Sequence, residues 1–121
     1  MGDTIWVLPE GVEEDGWDHS LMLREDQNLD KLAEAIGVRK LSEFFDFSAY
    51  AEEVGAEAEL NLIDPSEAAT TVSALIKAIE SGHSAYNPSS AEELLEELRD
   101  VLAKLEQAGQ AGLRVRLSVI Q

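Results

Sequence analysis

One short stretch of the sequence contains the three residue types of a hydrolase triad. Asp18, His19 and Ser20 follow one another directly. Adjacent residues point in different directions, whereas the members of a triad converge in space from distant positions. The chain also lacks the Gly-x-Ser-x-Gly sequence that exposes the nucleophile of many hydrolases. We therefore predict a polar loop at 18–20, no catalytic residue and no cofactor.

The acidic residues before Trp17 suggest a calcium loop, but the spacing of the ligands does not fit. With Gly16 at the glycine position of such a loop, Met22 falls where the closing glutamate is required. The two histidines, His19 and His83, belong to no His-Glu-x-x-His motif, and whether folding brings them together is open. We therefore predict no metal site. The absence of cysteine also excludes disulfides and thiolate chemistry.

Negative charge is clustered along the chain. There are 25 acidic and 9 basic side chains, a formal net charge of −16. Residues 1–60 hold 16 of the acids and 4 of the bases, and two stretches, Met1–Asp18 and Ser42–Ile76, contain no base. If these stretches share one surface, it would attract a basic protein and accelerate its association. If they do not, the acids only keep the protein soluble.

Aromatic residues lie within both acidic stretches and could anchor such a partner. Trp17 either covers the edge of the core or serves as an interface anchor, since Trp is enriched in binding hot spots. The same alternatives apply to Phe44 and Phe45, because adjacent rings on one short helix cannot point the same way. We hypothesise a partner-binding surface composed of Glu13, Glu14, Asp15, Trp17, Asp18, Phe45, Asp46, Glu52 and Glu53.

The same composition argues against other kinds of partner. Binding to nucleic acid needs clustered Lys and Arg, and we expect Arg114 and Arg116 to pair with the protein's own carboxylates. No apolar run approaches the ~20 residues of a membrane span. The N-terminus lacks the basic start and apolar stretch of a signal peptide. We therefore expect a cytoplasmic protein that contacts neither nucleic acid nor membrane.

A strand near each end of the sequence and about four helices must position these residues. Thr4–Leu8 is a β-branched and aromatic run, and Leu113–Ile120 begins with strict alternation of apolar and polar residues. We expect these two strands to pair, which would protect both of them. Ser20–Arg24 is ambiguous between a strand and a loop.

Capping residues and apolar spacing indicate the helices. In the longest of them, Leu98 is centred in the apolar stripe and should be fully buried. The predicted helices, with the residues that cap or end them, are Leu29–Ile36 (Asn28, Gly37), one or two short helices within Lys40–Gly55, Pro65–Ser81 (Asp64, Gly82) and a helix from Ala91 (Ser90 with Glu93, then Gly109 and Gly112).

These elements predict an α+β fold in one domain of 121 residues, with about four helices packed on a small, mainly antiparallel sheet containing the N- and C-terminal strands. The leading functional hypothesis is a small non-enzymatic protein-binding module: an inhibitor, immunity-like protein or regulatory partner of a basic protein. The first alternative is a structural or assembly protein that self-associates through a terminal strand or the leucine-rich helix. The second is a small enzyme with carboxylates as acid and base, which needs a cleft and paired carboxylates of raised pKa.

Overall fold

A three-stranded mixed sheet forms the centre of the computed structural model, which describes residues 3–12, 15–49, 55, 60–83, 86 and 90–120. The strands are β1 (Thr4–Pro9), β2 (Phe45–Asp46) and β3 (Val115–Ile120), in the order β1-β3-β2. β3 pairs antiparallel with β1 and parallel with β2. The predicted pairing of the two terminal strands is therefore confirmed, and the parallel strand β2 makes the sheet mixed.

Four α-helices lie within the described ranges, and a short 3-10 helix at Leu41–Phe44 precedes β2. None of the described helices combines the length and the apolar character needed to cross a membrane. The four are α1 (Ser20–Arg24), α2 (Asp26–Ile36), α3 (Pro65–Glu80) and α4 (Ala91–Gln110). The predicted α+β fold is thus confirmed.

Several predicted helix ends agree with the structure. Asp64 caps α3 by accepting a hydrogen bond from Ser66 N at 2.9 Å, and Pro65 occupies the first turn, where no N–H is needed. Gly37 ends α2 with φ 80°, a left-handed conformation that glycine adopts without strain. By contrast, the side chain of Ser90 makes no capping bond, so the predicted capping box of α4 is wrong.

The region from Ser20 to Ile36 is more helical than predicted. Ser20–Arg24 forms a helix, and α2 starts three residues before Leu29. The two helices run on through Glu25, whose N–H donates to Leu21 O and whose carbonyl accepts from Leu29 N. Asn28 therefore lies inside α2 and does not cap it.

One hydrophobic core joins the sheet to the helices. It contains Val7 and Leu117 from the sheet, and it extends to residues of every helix named above. Leu98 is 0% exposed at the centre of this core, as predicted. Of the predicted helical region Lys40–Gly55, residues 50–54 lie outside the described residues. Its first part forms the 3-10 helix and then β2.

Candidate functional site

Within the described part of the chain, no strand pairs with the outer edge of β1. Pairing with β3 uses the even-numbered residues, as the 2.9 Å bond from Glu10 N to Arg114 O indicates. The odd-numbered residues therefore direct their N–H and C=O groups outwards. These are Ile5, Val7 and Pro9, the last of which has no N–H to satisfy.

Two side chains close this edge in place of a strand. Val7 N donates to Asp15 Oδ2 at 3.0 Å, and Nδ1 of His19 lies 2.8 Å from Ile5 O. Both side chains belong to the segment that leads into α1. A further strand could not pair with this edge without first displacing these two bonds.

His19 connects this edge to α4. Its side chain is 0% exposed, and its Nε2 lies 2.7 Å from Asp100 Oδ2. Ile5 O can only accept, so Nδ1 of the imidazole donates to it, and Nε2 faces the Asp100 carboxylate. The buried ring is thereby fully hydrogen-bonded.

Lys104 completes a group of four side chains that we call the buried ion cluster: Asp15 and His19, which are buried, and Asp100 and Lys104, which are 22% and 23% exposed. Lys104 Nζ lies 2.9 Å from Asp100 Oδ2 and also bonds Asp15 Oδ1. Burial raises the pKa of Asp100, but hydrogen bonds from His19 and Lys104 outweigh this and hold the pKa below its usual value. Both carboxylates thus lie within reach of Lys104 and the His19 ring, which lowers the cost of burying Asp15.

The geometry of this cluster is structural and does not form a hydrolase triad. Asp18 accepts a 2.8 Å hydrogen bond from Trp6 Nε1, and Ser20 begins α1. His19 is buried, so the predicted polar loop is wrong at this residue. No group of three or more His, Cys, Asp or Glu residues within the described ranges could hold a metal ion.

α1 depends on α4 for its N-terminal cap. Glu97 of α4 accepts hydrogen bonds from Leu21 N at 3.3 Å and Met22 N at 2.9 Å. His19 N, one residue before the helix, donates to Thr4 Oγ1 at 2.8 Å. A five-residue helix is too short to be stable alone, so these tertiary bonds fix both α1 and the segment before it.

Trp17 projects from this fixed segment into solvent. Trp17 is 42% exposed, and its backbone N–H donates to Asp15 Oδ1 at 3.2 Å. The indole lies 5.9 Å from the His19 ring, at 45° to it. Beside Trp17, a hollow of about 320 Å³ is lined by Val12, Gly16 and Lys104, among others.

The structure separates the residues of the hypothesised partner surface. Asp15 and Trp17 lie along the β1 edge, whereas Phe45 and Asp46 form β2 at the opposite edge of the sheet. Asp15, Phe45 and Asp46 are buried, so they offer no surface to a partner, which corrects that part of the hypothesis. Glu13, Glu14, Glu52 and Glu53 lie outside the described residues. Of the hypothesised partner surface, Trp17 and Asp18 are the residues that are both described and exposed.

A second buried carboxylate lies beside β3. Asp46 Oδ1 accepts from Ser48 N at 2.8 Å, and Arg116 Nη1 lies 3.5 Å from Oδ2. Arg114 pairs with Glu10 at 3.4 Å, so both arginines contact the protein's own carboxylates, as predicted. Asp46 Oδ2 is buried without a hydrogen-bond partner among the described residues.

Sequence reasoning missed His19, Asp100 and Lys104 as a unit. The spacing of Asp100 and Lys104 is typical of an ion pair on one helix face, which is a signal that could have been used. Nothing local links them to His19, which is 81 positions from Asp100. His83 follows α3, where its N–H bonds Ala78 O, and it is not part of the buried ion cluster.

Comparison with known proteins does not add to this description. A scan against protein-family models, a search of curated proteins and a search of solved structures each found no match.

Proposed function

We propose that this chain is a small non-enzymatic protein-binding module that acts in the cytoplasm as an inhibitor, immunity-like protein or regulatory partner of a basic protein. The observation that carries the proposal is the exposed indole of Trp17 on a fixed base. Its backbone is bonded to buried Asp15, and its ring lies against buried His19. An aromatic anchor that is already ordered loses little conformational entropy on binding, which favours affinity.

The charge around Trp17 supports a basic partner. Trp17 lies in the base-free stretch Met1–Asp18, which carries six acids. Lys104 is the cation beside the adjacent hollow, and it is already paired with Asp15 and Asp100. A basic protein approaching this edge would therefore be attracted, and its association would slow as salt increases.

The test uses a partner captured from native cells, with association and dissociation followed by stopped-flow fluorescence across a salt series. Trp17→Ala should speed dissociation at least tenfold, because it removes a desolvated anchor. The triple variant Glu13→Gln, Glu14→Gln and Asp18→Asn should instead slow association and flatten its salt dependence. Asp15 is left intact, because it holds the fold.

A matched control removes the same amount of charge elsewhere. Glu34, Glu67 and Glu80 are exposed carboxylates on α2 and α3, outside the Trp17 edge. Changing all three to Gln should leave dissociation unchanged and affect association less than the first triple variant. If the association rates of the two triple variants had the same salt dependence, the acids near Trp17 would only keep the protein soluble. The proposal would then fail.

Self-association remains an alternative, with less support from the described residues. The strand β3 is central, and two outward groups of β1, Val7 N and Ile5 O, are bonded to Asp15 and His19. The apolar stripe of the leucine-rich helix α4 belongs to the core. A concentration-dependent dimer in sedimentation experiments, without any partner, would favour this alternative.

An enzyme also has less support. Among the described residues, the carboxylates with a resolved pKa shift are Glu10, Asp64 and Asp100, and each pKa is lowered by hydrogen bonds or ion pairs. A carboxylate general acid needs the opposite shift.

A further inference from the structure

A second groove lies on the other side of the Pro9–Val12 turn. It has a volume of about 270 Å³, and Leu8, Leu60 and Leu62 form its apolar walls. Arg116 provides its cationic group. Leu60 is 49% exposed, so its side chain is accessible from the groove. The groove therefore combines an apolar surface with one cationic side chain.

Among the described residues, Arg116 has one ion-pair partner, Asp46, and no close hydrogen-bond acceptor for its guanidinium. Its side chain is 21% exposed, and Asp46 Oδ2, at 3.5 Å from Nη1, is too far for a good hydrogen bond. No other acceptor contacts this guanidinium within the described part of the chain. A guanidinium presents five N–H donors in a planar fork that matches a carboxylate. Asp46 fixes the position of Arg116 without using these donors.

The geometry points to a binding site for a small carboxylic acid with an apolar body. The carboxylate would bond the guanidinium of Arg116, and the apolar part would lie against Leu60 and Leu62, which unlike Leu8 are accessible. The volume is just under the roughly 300–1,000 Å³ of typical ligand pockets, so the ligand is small, such as a short-chain fatty acid. Charge-assisted, bidentate bonds of this kind are the strongest that an arginine makes.

The charges around the groove permit an anion. Glu10 also lines it, but its carboxylate accepts from Arg114 N at 2.7 Å and pairs with the Arg114 guanidinium. Glu10 and Asp46 are thus balanced by two arginines. The net charge of the chain opposes an anion at long range, but salt at about 0.15 M screens that field beyond ~8 Å.

The experiment titrates the whole protein with hexanoate at this ionic strength and follows the Arg116 side-chain N–H and leucine methyl signals by NMR. Hexanoate should change the chemical shifts of residues that line the groove and of no others, and these changes should saturate. Hexylamine and 1-hexanol, which have the same chain without the carboxylate, should bind at least tenfold more weakly. Equal binding of all three would overturn the site.

Variants separate a built site from a merely apolar groove. The double change Arg116→Met and Asp46→Asn removes both charges together, so that neither is left without its counter-charge. It should weaken the binding of hexanoate at least tenfold. Leu60→Glu, at an exposed wall position, should do the same. Arg99→Gln, which removes an ion-paired arginine from α4, should leave binding unchanged.

Retention of wild-type affinity in either groove variant would overturn the inference. Trp17→Ala should leave hexanoate binding unchanged, because Trp17 does not line this groove. The result is therefore independent of the proposed partner surface.

Discussion

Two buried aspartates lie at opposite edges of the same sheet, and their surroundings differ. Asp15, beside β1, accepts from Val7 N, Trp17 N and Lys104 Nζ. Asp46, in β2, accepts from Ser48 N and leaves one oxygen without a hydrogen bond among the described residues. Both carboxylates face a cation, but only Asp15 has every oxygen bonded.

This difference separates a carboxylate that holds the fold through several hydrogen bonds from one that lies beside an arginine with one oxygen unbonded. A fully bonded buried charge is costly to disturb, because each donor it serves would be left unpaired. An unsatisfied buried polar atom needs a specific explanation, since folded proteins contain few of them. We therefore assign Asp15 to the frame beneath Trp17, and Asp46 to positioning Arg116 in its groove.

The largest expected effect is that of Asp15→Ala. Loss of this carboxylate leaves Lys104 with one counter-charge and Val7 N without a partner at the β1 edge. We expect a loss of about 3–5 kcal/mol in the free energy of unfolding, measured in urea, as for other broken buried ion pairs. Asp18→Asn, at an exposed neighbour, is the control and should cost much less. Similar values for both variants would contradict the structural role of Asp15.

Acid should weaken the same cluster through Asp100. Its folded pKa is lowered, so its contribution to stability is present above the unfolded pKa of about 3.9 and is lost as pH falls through the folded value. Urea unfolding at pH 5, 4 and 3 should show stability falling towards pH 3. In Asp100→Asn this fall should be shallower. A parallel pH dependence in both proteins would show that other carboxylates cause it.

Asp46→Asn should have the smallest effect on stability. The amide keeps an oxygen for Ser48 N, and Arg116, at 3.5 Å from Asp46, makes no good hydrogen bond that would be lost, so we expect a change of about 1 kcal/mol. The same variant frees the guanidinium from its counter-charge and should tighten hexanoate binding. A loss comparable to that of Asp15→Ala would remove the contrast between the two aspartates.

Local signals in the sequence were enough for much of the fold. The alternation in Leu113–Ile120 and the apolar run at Thr4–Leu8 predicted the terminal strands, and the stripe around Leu98 predicted the core face of α4. These patterns are read within a few residues, because a strand or helix repeats its buried side at a fixed period.

The frame beneath Trp17 could not be predicted in this way. His19 was interpreted as part of a polar loop because Asp100, its charged partner, belongs to another element. Asp15 was interpreted as an exposed acid, since its burial depends on Lys104 and on the β1 edge. The parallel pairing of β2 was missed because only two residues form that strand, too few to show a period.

The register that joins Thr4 to Ile120 has a consequence for synthesis of the chain. Since β3 lies between β1 and β2, no strand of the sheet has its partner until β3 has left the ribosome. At about 5–20 residues per second, β1 waits roughly 5–20 s in the nascent chain. Unpaired apolar strands aggregate, and flanking charges oppose this. The acids after β1 would protect the growing chain during that wait, whatever the folded protein binds.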